Sequence, residues 1–248
     1  MGQFLSKVQK GKQQRARRTV LYGTHGIGKS TWASEWPNAV IVQTEDGCAD
    51  LDVAKFPLCE TLTDCWGAIM ELGGEEDHGF QTVVVDSADW LEQLIWKTVC
   101  EKHNKKAITD FDFGKGYGEA ASIFSKILQA LDVCRSKGIH VVVLAHCEVV
   151  RFTDPQSESY DRYMPKLHKS VSSLMQEWAD EVLFAAYKRY VRKEDLGFKK
   201  TRGIASGDER VLYTQESAGF LAKNRLGLPQ ELPLDFAAYE PFLNVGEK

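Results

Sequence analysis

Near the start of the chain, Gly23-Thr24-His25-Gly26-Ile27-Gly28-Lys29-Ser30 matches the spacing G-x-x-x-x-G-K-[ST] at every fixed position. The flanks fit too. Residues 18–23 (RTVLYG) read as a strand, and residues 29–36 as a helix stopped by Pro37. A strand–loop–helix unit of this kind holds a nucleoside triphosphate. Its glycines let backbone N–H groups turn inward, and the helix N-terminus adds its positive end. The expected phosphate cradle is therefore Gly23, Thr24, His25, Gly26, Ile27, Gly28, Lys29, Ser30 and Thr31. Lys29 reaches the β- and γ-phosphates, Ser30 ligates Mg²⁺, and Thr31 supports the α-phosphate. The competing reading is a glycine-rich turn with a chance lysine.

A loop of this type needs a parallel sheet behind it, and the remaining pattern supplies one. Short apolar runs at 39–43, 80–85 and 139–145 alternate with helical spacing at 63–72, 88–103 and 119–136. Runs such as FQTVVV and IHVVVLA are nearly all apolar, as strands covered on both faces require. Beyond residue 180, short strands at 182–191, 210–214 and 219–223 lack intervening helices, which predicts an antiparallel extension. The expected fold is an α/β P-loop core with a mostly parallel sheet. It divides into a basic arm (1–18), an ATPase domain (19–228) and an extended proline-marked tail (229–248). Segments 105–118 and 147–167 read as long loops, which in a compact domain are usually functional.

Composition narrows the function classes. The 248 residues carry a net charge of −4, which argues against generic polyanion binding, yet residues 1–18 hold six cations and no acid. That arm fits either a local phosphate or partner contact or a solvated tail. Six cysteines without a C-x-x-C pair argue against zinc and against a disulfide framework. The apolar runs are too short for a membrane span. Met1-Gly2-Gln3-Phe4-Leu5-Ser6 fits the short myristoylation pattern, but loosely specified positions match by chance. The expected compartment is the cytoplasm.

Two strand ends offer chemistry. Asp86 closes VVVDS, where a carboxylate beside Ser30 orients the metal's water shell; a plain helix cap is the alternative. Ser87 follows it, so no base stands directly after the metal aspartate. Glu45, after the second strand, is the candidate for orienting or deprotonating the attacking water if that strand neighbours the third. Asp46 rivals it but suits the Asp46-Gly47 turn. His146 ends the fourth strand where a γ-phosphate is sensed, or serves as a structural hydrogen-bonder.

Taken together, YGTHGIGKST, IVQTEDG, VVVDS, VVVLAH and the late Ala222-Lys223-Asn224-Arg225 resemble the RecA family of recombinases. DSADWLE, DFGKGYGE, FTDPQSESYDRYMPKLHK, EWADEVLF and LAKNR resemble, more narrowly, the phage-encoded RecA-like ATPases associated with single-strand annealing. That resemblance covers nearly the whole chain and implies a bacterial host cytoplasm. It implies that Glu45 activates water, and that His146 stands where the family usually has glutamine. Lys223 and Arg225 match the cations that reach the γ-phosphate of a neighbouring subunit. The segments 110–118 and 148–170 match the two DNA-binding loops. Lys115, Arg151, Arg162, Lys166 and Lys169 are then phosphate contacts, and Tyr117, Phe152, Tyr160 and Tyr163 stacking faces. No counterpart of the family's large accessory DNA-binding domains is expected within these residues.

The leading expectation is an ATP-dependent, oligomerising recombinase or annealing protein that binds single-stranded DNA. Its partners would be copies of itself, in a ring or filament, and a phage or host single-stranded-DNA-binding protein. A nucleotide-gated accessory or loader protein with little turnover is the alternative. A small-molecule kinase fits less well, because no arginine-rich lid is evident.

Overall fold

The computed structural model describes residues 4–11, 13, 15–75, 77–153, 158–188, 190–195 and 201–243. Met1, Gly2 and Gln3 of the myristoylation pattern, Lys12 of the arm, and 154–157 of the second long loop lie outside the described residues. Of residues 190–195 and 201–206 the structure describes the backbone.

In chain order the elements are β1 (Arg18–Gly23), α1 (Lys29–Ser34), β2 (Ala39–Gln43), β3 (Ala54–Lys55), α2 (Leu62–Gly74), β4 (Thr82–Asp86) and α3 (Ala88–Lys102). Then come α4 (Lys115–Ser136), β5 (His140–Phe152), β6 (Tyr160–Pro165), α5 (Lys169–Trp178) and β7 (Glu181–Tyr187). The chain continues through β8 (Tyr190–Asp195), β9 (Thr201–Ser206), β10 (Arg210–Tyr213), β11 (Glu231–Pro233) and α6 (Phe236–Tyr239). The main sheet runs β11-β10-β7-β1-β5-β4-β2-β3, and β6 pairs with β5 off that path. From β7 to β3 it is parallel, and β10 and β11 reverse direction.

Strand alternation sorts one apolar sequence into two cores. Val20, Tyr22, Val83, Val85, Val141 and Val143 face α2, α3, α4 and α5. Leu21, Ile41, Val84, Val142 and Leu144 face the other way, onto Trp32, Trp36, Phe236 and Tyr239. The expected α/β fold with a mostly parallel sheet and antiparallel C-terminal strands is thus present.

Several boundaries move, for local reasons. Of the run at 182–191, expected in the antiparallel extension, residues 182–187 lie in β7, parallel to β1, and residues 190 and 191 open β8 in a separate two-stranded sheet. The stretch 219–223 forms isolated bridges, Tyr163 to Phe220 and Val182 to Lys223, in place of a strand. The tail from 229, expected to be extended and outside the domain, adds β11 to the sheet and seats Phe236 and Tyr239 against Trp32 and Trp36. The long loop at 147–167 is mostly a hairpin, because β5 runs on to Phe152 and β6 folds back along it. Helix α5 was hidden by its serines; its buried Val171 and Met175 are four residues apart, one turn of a helix.

In the arm, Phe4, Leu5 and Val8 are all exposed. No described helix is long and apolar enough to cross a membrane.

Candidate functional site

The loop between β1 and α1 is shaped by its glycines. Gly26 (φ 69°) and Gly28 (φ 108°) adopt left-handed backbone that favours glycine. Gly23 has a different reason: a Cβ there would collide with the Ala185 carbonyl of β7. Ile27 is fully buried and pins the loop to the core beneath, whereas Thr24, His25, Gly26 and Thr31 are exposed.

Lys29 folds back into the loop and donates to the carbonyls of Gly23 (3.2 Å) and Thr24 (3.1 Å). Burial pushes its ammonium below the usual lysine range, against the pull of Asp86, Glu45 and Asp89. A buried cation held only by neutral carbonyls is ready for anionic oxygens.

Parallel pairing then sets the acids. β2 lies beside β4 with Gln43 opposite Asp86, so the ends of both strands open beside the loop. Ser30 Oγ donates to Asp86 Oδ2 at 2.6 Å, and Cys48 Sγ approaches the same oxygen at 3.4 Å. Asp86 Oδ1 is buried with no hydrogen-bond partner. A hydroxyl and a carboxylate oxygen with spare capacity suit a hard divalent cation such as Mg²⁺, which takes one or two protein ligands and completes its shell with phosphates and water. No larger metal-holding cluster of His, Cys, Asp and Glu occurs among the described residues. The Asp86–Ser87 peptide is cis. Thr44 ties the two strand ends together, its hydroxyl donating to Ser87 O and accepting from Ser87 N.

Glu45 follows Thr44 and is partly buried, with Oε1 3.8 Å from His146 Nε2. Burial raises its carboxyl above the usual range, helped by Asp86 and Asp89 and opposed by His146 and Lys29. His146 ends the buried part of β5, opposite Gly23 in the register. Its Nδ1 lies 2.8 Å from Asp89 Oδ2, and its backbone N–H donates to Asp89 Oδ1 at 3.0 Å. Facing a carboxylate, Nδ1 carries the proton. Burial works to raise Asp89, but the His146 hydrogen bonds outweigh it and hold that carboxyl below its usual range. The His25 ring stacks on His146 at 3.9 Å. His146 lowers the His25 pKa, aided by burial and Lys29.

Asp89 and His25 are the contributions that sequence reasoning missed. The available signal for Asp89 is its place in the first turn of α3, three residues after Asp86. His25 was taken only as part of the cradle.

Lys223 and Arg225 lie elsewhere. Lys223 donates to the carbonyls of Gln176 (2.7 Å), Glu177 (3.3 Å) and Ala179 (2.7 Å), capping the end of α5. Arg225 pairs with Asp180 at 3.2 Å. Asp180 N bonds to Arg18 O at the start of β1, so both cations sit near the opposite end of the strands from their own phosphate loop. Lys115, Lys166 and Lys169 are exposed. Arg151 is exposed and paired with Asp161 at 3.3 Å.

Two expected DNA contacts need correction. Arg162 is 6% exposed, bonded to Glu216 (2.6 Å) and Phe220 O (3.2 Å) with its guanidinium over the Phe152 ring, so it is a structural cation. Tyr163 is partly buried and lays one face on Phe184 of the core, so at most its other face is left for a base. Tyr117 is partly buried, stacked on His168 at 4.3 Å with only 7° between the rings.

Comparison with known proteins adds three findings. Residues 15–226 match the family described as AAA domain. No curated protein matches the chain. Among solved structures, the chain is similar to the flagellar accessory protein FlaH from Methanocaldococcus jannaschii. The identity is 9%, 89% of this chain and 95% of that one are covered, and the TM-score is 0.38.

Proposed function

The chain belongs to the AAA domain family, a family of P-loop ATPases, and from that premise we propose that it hydrolyses ATP to ADP and phosphate while assembled with copies of itself on single-stranded DNA. The observation that carries the ATPase reading is the meeting of Lys29, Ser30, Asp86, Glu45 and His146 at one end of four adjacent parallel strands. Lys29 and the loop N–H groups hold the β- and γ-phosphates. Ser30 and Asp86 hold Mg²⁺, which when bound supplies charge neutralisation to the phosphates. Glu45 orients the attacking water and accepts its proton; its raised pKa improves it as a base near neutral pH. His146, fixed by Asp89, stands beside Glu45 to register the terminal phosphate.

The DNA-dependent and assembled part of the proposal draws on the resemblance to recombinases and on the exposed lysines flanking this end of the sheet. Because Lys223 and Arg225 lie far from their own loop, any contact they make with a γ-phosphate is made in the next copy. Such a cation accelerates hydrolysis by ~10³–10⁵. Recombination or annealing, in a phage-like setting, is the biological role that fits.

The test is ATP turnover with and without single-stranded DNA. Glu45→Gln is expected to lower turnover by ~10²–10⁴ while Mg-ATP still binds. Mixing Lys29→Ala with Lys223→Ala is expected to restore partial turnover, since each supplies what the other lacks. No uptake of Mg-ATP by folded protein would overturn the ATPase reading. Absence of both DNA binding and DNA-stimulated turnover would overturn the recombinase reading.

One observation favours a second reading, a nucleotide-gated accessory protein with little turnover. His25 of the loop stacks directly on His146, so occupancy of the loop bears on β5 without hydrolysis. Nucleotide-dependent partner binding with unchanged affinity in Glu45→Gln would select it.

A further inference from the structure

A cavity of about 580 Å³ opens beside the phosphate loop. His25 and His146 form one side of its lining. Elsewhere it is lined by the indoles of Trp90 and Trp96 on α3, by Tyr117 on α4, and by His168 just before α5. Three separate elements thus bring aromatic rings to one hollow. The Tyr117 and His168 rings lie parallel, and Trp96 meets Tyr117 edge-on at 5.5 Å. Trp90 is 50% exposed, so part of its indole is open to a ligand.

The polar features are equally specific. The Trp96 indole N–H is buried and has no acceptor. Glu92, at the cavity wall, is 2% exposed and takes the His168 backbone N–H on both carboxylate oxygens (3.2 and 3.0 Å). Burial pushes that carboxyl up to about 7, with Asp89 and Glu148 adding to the rise against the His168 hydrogen bond. It therefore offers a proton as well as lone pairs near neutral pH. Lys166 lines the cavity, while Lys115 and Lys169 flank Tyr117 and His168 in sequence. All three are exposed, and none forms an ion pair among the described residues.

Aromatic faces, hydrogen-bonding groups at ring depth and unpaired cations around them define one ligand chemistry: a planar heterocycle bearing a phosphate. We infer that this cavity takes a single nucleotide unit, its base stacked against Trp90 or the Tyr117–His168 pair and its phosphate held by the lysines. The inference rests on the single-strand reading above, since a base inside a duplex is not free to enter. It names the residues that do the holding, and it puts the base next to the histidines of the ATP site. The cavity size lies within the range of small-molecule sites.

The experiment uses the full chain with a non-hydrolysable ATP analogue and oligothymidylate carrying one 5-iodouracil. Photocross-linking is expected to mark Trp90, Tyr117 or His168. Trp90→Ala, at a half-exposed position, is expected to weaken oligonucleotide affinity about tenfold while DNA-free ATP turnover stays unchanged. Trp90→Phe, which keeps a ring, should recover most of the affinity. Equal affinity in wild type and Trp90→Ala, with adducts only outside the cavity, overturns the inference and leaves the strand reading standing. Tryptophan quenching by thymidine 5′-monophosphate that Trp90→Ala abolishes, without oligonucleotide binding, supports the cavity and reassigns the source to a free nucleotide. Neither oligonucleotide binding nor quenching overturns both.

Discussion

Asp86 and Asp180 are both buried aspartates bordering the central strands, one at each end of the sheet, and the protein treats them in opposite ways. Asp180 is saturated: Arg18 donates to it from its backbone N–H (3.2 Å), Nε (3.4 Å) and Nη2 (3.1 Å), and Arg135 and Arg225 add 3.2 Å contacts. Burial alone would raise its carboxyl, but the Arg18 hydrogen bonds and the charges of Arg18 and Arg135 hold it below the usual range. Asp86 receives Ser30 and Cys48 on one oxygen and nothing on the other. A saturated acid at the closed end fastens elements together. An acid left half-bonded at the open end has coordination to offer.

The largest effect expected from this contrast is on turnover. Asp86→Asn should lower ATP hydrolysis by ~10²–10³, in the range for losing one preorganised polar group, while the urea midpoint stays near wild type. A large loss of stability in that variant would erase the distinction. The next effect is on stability alone. Asp180→Asn should cost about 2–3 kcal/mol in urea unfolding, below the usual figure for a broken buried pair because the arginines are partly exposed. Its DNA-free turnover should change little.

The adjacent residue sharpens the comparison through pH. Glu181 is fully buried; Thr19 donates to Oε2 at 3.1 Å and Oε1 has no partner. Desolvation raises its carboxyl to about 7, with Arg17 opposing. The unfolded chain ionises this group first, so native stability declines as pH rises from about 4.5 to about 7. Glu181→Gln should remove that decline, gaining roughly 3 kcal/mol at pH 8 relative to pH 4.5. Asp180 acts with the other sign: its stabilisation is present above the ordinary carboxylate range and is lost as pH falls below it. Chemical denaturation at both pH values in both variants separates the two. The smallest effect belongs to Arg225→Ala, whose side chain is 53% exposed. It should cost at most ~0.5 kcal/mol, yet depress turnover of the assembled protein if the cation serves a neighbour.

The open end of the sheet was far more legible in sequence than the closed one. The phosphate loop declares itself because backbone geometry forces its glycines, and Asp86 and Glu45 because they stand at and just past the ends of β-branched runs. The parallel core followed from those runs. What escaped were interactions set by distance in space, with no periodicity to reveal them. Asp180 collects arginines from β1, α4 and the segment after residue 223, and Asp89 meets His146 across 57 positions. Arg162 read as a surface cation because charge in a polar stretch ordinarily is one; the pairing of β6 with β5 turned it inward beneath Phe152. The tail misled for a similar reason. Its prolines signal extension, and Pro233 ends a three-residue edge strand where a missing N–H is tolerated.

Strand β5 is one uninterrupted ribbon of thirteen residues, with His146 near its midpoint. Its first half is clamped between β1 and β4, and its second half projects into the exposed hairpin with β6. The histidine and Phe152, ~20 Å apart at a strand's rise, therefore share one continuous strand, held by β1 and β4 at one end and by β6 at the other. A tilt at the histidine is felt along that ribbon in the hairpin.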